Sequence, residues 1–131
     1  MQQDTDSTTL YIPGMRLENG IILSRASSGE TMSNVAHKAI HHSPTGFEWG
    51  YGGSGPADLA LNICESVLGR IGYTGPRIDL WKGNCFAAAW AMHQEFKRDF
   101  IASIPDEGTI LDWDIVAEWV RTHTPHDDLL L

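Results

Sequence analysis

Three features of this sequence predict an α+β fold: a small antiparallel β-sheet from the N-terminal third, packed by two long helices and a shorter C-terminal helix. Short apolar runs bounded by turn residues fill the first third. Two stretches with apolar residues at helical spacing follow Pro56 and Cys85. Asp112, a good helix cap, then precedes a short amphipathic stretch.

A chain of 131 residues is the size of one domain. We expect a disordered N-terminus over residues 1–8, a domain over 9–122 and a tail over 123–131. The apolar fraction of 42% supports an ordinary core without disulfide or metal staples. Cys64 and Cys85 therefore read as small core hydrophobes. No run approaches the roughly 18 apolar residues of a membrane span. The opening MQQDTDSTT has neither the basic nor the apolar region of a secretory signal, so the expected location is the cytoplasm. The formal charge of −8 argues against binding the nucleic-acid backbone, which attracts Lys and Arg. It suits solubility, or a basic protein surface.

Along the chain, Leu10 to Met15 and Ile21 to Ser24 flank Leu17-Glu18-Asn19-Gly20, and the Asn-Gly pair predicts a β-hairpin. Ala26 to Ser33 reads as a polar loop. Asn34 to Ile40 fits either a short helix, with His37 and His41 on one face, or a strand. Residues 42–55, HSPTGFEWGYGGSG, hold five glycines and a proline and exclude a regular helix. Pro56 suits a first helical position, and Ala60, Ile63, Cys64, Val67, Leu68 and Ile71 follow at helical spacing. Tyr73 to Gly83 reads as a loop, and a second helix is expected from about Cys85 to Ile104. In the third helix Ile115, Val116, Trp119 and Val120 form the expected buried face.

The candidate site is the aromatic and glycine-rich segment. In an extended chain, Phe47, Trp49 and Tyr51 alternate onto one side and could stack against a nucleobase. Gly52, Gly53, Ser54 and Gly55 feed a helix start, where unpaired N–H groups attract anions. At least one of Gly50, Gly52, Gly53 and Gly55 should have positive φ, and Ser54 or Gly55 should cap the helix. Asp58, placed in the first turn, complements the helix dipole but would repel a phosphate. The same residues also describe a hydrophobic lid over a small core, and sequence alone leaves both readings open. The glycine spacing fits neither the Walker loop nor the dinucleotide fingerprint.

The run HSPTGFEWGYGGSGPADLALNI, with HQEFKRDFIASIP downstream and Ile115 to Val120 around Trp119, resembles a family of small uncharacterised proteins of phages, plasmids and bacterial genomes. The resemblance covers roughly residues 41–120 and implies a mobile-element origin. The order of a sheet followed by two helices is also similar to phage anti-defence proteins that sequester cyclic ADP-ribose-type signals of the Thoeris system. That kinship implies ligand contacts at Phe47, Trp49, Tyr51 and the Gly52 to Gly55 loop. The chain departs from it in having few basic residues nearby, Lys38 upstream and Arg70 downstream being the nearest.

Other constellations point away from catalysis. His37, His41 and His42 lack an acidic or Cys partner at metal-ligand spacing, so no metal or cofactor is expected. His93 reads as a hydrogen-bonded core histidine. On one helix it would lie about 12 Å from Cys85, too far for nucleophile activation. Ser54 in GGSGP is not the nucleophile elbow of hydrolases. Glu48 and Asp58 could pair only if the fold brings them together. The expectation is a non-catalytic protein, not an enzyme, that counteracts host defence. Its partner would be a small nucleotide ligand or a host defence protein. The alternatives are a structural accessory of the mobile element and, behind it, a small enzyme. A homo-oligomer is compatible with a small sheet.

Overall fold

The computed structural model describes residues 9–43 and 45–125. The expected disorder of residues 1–8 and the end of the tail, His126 included, lie outside the described residues. The α+β class is observed: one four-stranded sheet packs against three helices.

The sheet contains β1 (Leu10–Tyr11), β2 (Ile21–Arg25), β3 (Thr31–Ser33) and β6 (Gly108–Leu111), in the order β1-β3-β2-β6. Two details correct the sequence reading. One strand, β6, comes from the C-terminal third and pairs antiparallel with β2. The other, β1, joins β3 in parallel, although the rest of the sheet is antiparallel.

The hairpin expected at Asn19-Gly20 does not form, because β1 and β2 do not pair. Leu17–Asn19 instead makes a 3₁₀ turn that buries Leu17. Asn34 holds that turn: its Oδ1 accepts from Ile22 N, and its Nδ2 donates to the Met15 and Gly20 carbonyls. The true hairpin joins β2 and β3 through Ala26 to Glu30, in the segment read as a polar loop. Thr31 and Ser33 are polar but buried, so their hydropathy disguised a core strand. Asn34 to Ile40 is neither helix nor regular strand; it bends at Asn34 and Val35 and ends on a single bridge between Ile40 and Lys82.

The central element is α1 (Ser54–Arg70), buried from Gly55 through Cys64 and again at Val67 and Leu68. A helix apolar on nearly every side belongs in the middle of a core. It packs against α2 (Ala87–Phe96), the π-helical segment Lys97–Ile101 that continues α2, and α3 (Trp113–His123). The expected second helix therefore exists, but the loop before it is more ordered than predicted. β4 (Arg77–Asp79) and β5 (Asn84–Phe86) form a separate hairpin inside and just beyond that loop. Cys64 and Cys85 are free and buried, as expected.

Asp112 caps α3 as anticipated, its side chain accepting from Ile115 N at 3.2 Å. The buried face is Val116, Ala117 and Val120, however. Ile115 is 61% exposed, and Trp119 is half-buried, stacked on His123 with its indole N–H on Asp99. The last helical residue is His123, so the helix runs one residue into the expected tail. Among the described residues no helix is long and apolar enough to cross a membrane.

Candidate functional site

Two polar side chains on α1, four residues apart and thus on one face, shape the site. Asn62 accepts from Lys38 N and Ala39 N through Oδ1, both at 2.9 Å, and donates from Nδ2 to the Ala39 carbonyl. Asp58 is wholly inaccessible. Its carboxylate accepts from the amides of His41, His42 and Ser43, and its Oδ2 lies 3.2 Å from His37 Nε2. These two residues give segment 38–43 the partners that a neighbouring strand would otherwise supply. Burial alone would raise the Asp58 pKa, but the His37 hydrogen bond and the loop amides outweigh it and hold the group below its ordinary value.

This corrects the reading of Asp58. The helix begins at Ser54, not Pro56, which moves Asp58 out of the first turn. Its charge is engaged by the loop, and it lines neither of the clefts described below. Its contribution to a site is positional: it fixes Ser43, whose hydroxyl donates to the Gly46 carbonyl in the wall of a cleft.

The aromatic row divides. Phe47 and Trp49 are 1% and 3% exposed, while Tyr51 is 52% exposed. Phe47 packs on the His37 ring at 4.5 Å. Trp49 donates from Nε1 to the Asp106 carbonyl and lies beneath the Arg25 guanidinium. Neither offers a free face, so the three-ring platform is not there; two rings are framework and Tyr51 alone is open.

Arg25 and Glu48 form a bidentate ion pair, at 2.7 and 3.1 Å. Arg25 also donates to the Asp106 carbonyl, so its guanidinium is engaged. Glu48 raises the Arg25 pKa further. The suspected Glu48 and Asp58 acid pair does not arise, since each carboxylate has its own partners.

Glu48 and Tyr51 form a ridge between two clefts. One, about 460 Å³, includes Trp49, Gly50, Ile104 and Asp106. The other, about 440 Å³, holds more of the expected site: Phe47, Tyr51, Ser54 and Gly55 line it, with Thr31, Ser43 and Thr45 supplying hydroxyls and Glu30 a carboxylate. Gly53, not Ser54 or Gly55, occupies the N-cap position and makes no side-chain cap. Ala57 N donates to the Gly53 carbonyl, and Pro56 has no N–H. The amides of Ser54 and Gly55 are left as the unpaired donors of this helix start among the described residues.

The glycine expectation holds at Gly50, whose φ is +88°, while Gly53 is extended. Gly55 is required for a different reason: a Cβ there would sit 2.7 Å from Glu48 Cβ. Gly52 and Gly53 shape the turn without lining either cleft.

The sequence reading missed Arg25, Asn62, Thr31 and Thr45. For Asn62 a signal existed, since Asp58 and Asn62 are the polar pair at i,i+4 in an apolar helix, and buried polar groups need partners. Arg25 gave none, because Glu48 lies 23 residues away and only the fold joins them.

A family of unknown function, DUF6166, matches residues 12–73, a span running from before β2 through α1 and including the whole candidate segment. The similarity agrees with the expected likeness to an uncharacterised small-protein family. No curated protein and no solved structure matches the chain.

Proposed function

We propose that this is a non-catalytic binding protein whose ligand, a small nucleotide-like molecule, seats in the cleft between Tyr51 and the start of α1. One observation carries this reading: the exposed Tyr51, the helix-start residues Ser54 and Gly55, and the hydroxyl residues Thr31, Ser43 and Thr45 line one opening of about 440 Å³. Each matches part of a nucleotide. Tyr51 can stack on a base. The Ser54 and Gly55 amides suit a phosphate oxygen. Glu30 and the Thr31, Ser43 and Thr45 hydroxyls suit a ribose diol. The resemblance to phage and mobile-element proteins supports a biological setting, in which the protein counteracts host defence by withdrawing a nucleotide signal.

A second reading, in which the protein masks a host defence protein, is favoured by the charge of −8. It predicts co-purification with a basic host effector and dissociation at high salt.

The test of the first reading is a thermal-shift panel of ADP-ribose derivatives and cyclic nucleotides. A ligand at 100 times its Kd stabilises by about 2.7 kcal/mol, a Tm rise on the order of 10 °C for this size. Tyr51→Ala should abolish the rise while leaving the Tm of the free protein nearly unchanged, because its ring is already half exposed. A panel without any shift would sink the reading.

A further inference from the structure

Away from the Tyr51 cleft, His42 and His93 form a cluster with chemistry of its own. His42 lies on the loop held by Asp58, and His93 on the buried side of α2. Their Nε2 atoms are 3.1 Å apart, and their ring centroids 5.2 Å. His93 Nδ1 lies 2.6 Å from the Trp90 carbonyl. A carbonyl only accepts, so Nδ1 carries the proton and the Nε2 lone pair of neutral His93 faces His42. Tying the outer ring nitrogen to a backbone carbonyl is how proteins orient a metal-binding imidazole.

The spacing agrees. Two imidazole nitrogens at 2.0–2.1 Å from a tetrahedral metal are about 3.3 Å apart, so the pair need open by only about 0.2 Å. Trp90 stacks on His42 and His41 packs edge-on against both, which fixes the rings. His42 is half-buried and His93 is 1% exposed, so a metal would enter from the His42 side.

We propose that His42 and His93 form a two-imidazole site for a divalent transition metal such as Zn²⁺ or Ni²⁺, with water in the remaining positions. Among the described residues no three or more His, Cys, Asp or Glu side chains are placed to hold a metal, so the protein supplies two donors and the affinity is modest. In the metal-free pair His42 Nε2–H donates to His93. Metal entry moves that proton to His42 Nδ1, so binding releases no net proton while both rings are neutral. The proposal stands independently of the Tyr51 cleft.

Titration calorimetry of the untagged full chain with zinc chloride and with nickel chloride should give one saturable equivalent, reversed by EDTA. His93→Gln and His42→Gln should each weaken it at least 10-fold, and His123→Gln should leave it unchanged. Imidazole nitrogen resonances of His42 and His93 should move on metal addition. If His93→Gln fails to fold by circular dichroism, the half-exposed His42→Gln decides alone. No saturable binding, or wild-type affinity in the folded variants, would overturn the proposal.

Discussion

Trp49 shows how a residue's type can mislead about its role. Next to Gly50 and in step with Tyr51, it reads as part of an open wall, yet it is 3% exposed. Its indole N–H reaches the Asp106 carbonyl and its face carries Arg25, so it ties the loop to the turn before β6. Trp119 has helical spacing and reads as core, but it is half exposed. The cost of truncation should follow burial rather than spacing. Trp49→Ala should cost about 3–5 kcal/mol, and Trp119→Ala markedly less. Denaturant unfolding of the two variants would check the order. Periodicity reports which residues share a face, and only packing determines which face is covered.

At the scale of elements, the helices were largely legible and the strands were not. α1 and α3 follow from apolar spacing, Pro56 near a helix start and an Asp cap, all of which act within a few residues. The strands span two to five residues, and their partners lie far along the chain: β6 pairs with β2 across more than 80 positions. Of the site, the segment and its open amides were legible, while Arg25 and the burial of Phe47 depend on long-range packing. The α1 pair Asp58 and Asn62 has a testable consequence. Asp58 is held below its ordinary pKa of 3.8, so the stability it contributes is present above that value and is lost as pH falls through the depressed one. His42 and His93 are held below 6.5, so the folded state takes up fewer protons there than the unfolded chain. Stability should thus fall in two acid steps, beginning below about pH 6.5 and again below about pH 3.8. His93→Gln should remove much of the first step in urea midpoints measured against pH, and Asp58→Asn the second. Unchanged profiles would contradict these assignments.

In the molecule as a whole, Asn62 and Asp58 on α1 fix segment 38–43, and that segment delivers Ser43 to one cleft and His42 to another cluster. The first of these is the proposed ligand seat, lined by Tyr51, Ser54 and Gly55. An amide-resolved NMR titration with ADP-ribose tests it most directly. Saturable shifts are expected at Thr45, Tyr51, Ser54 and Gly55, with those amides lost from the response in Tyr51→Ala. No shifts at millimolar ligand, or shifts confined to residues outside that cleft, would contradict it.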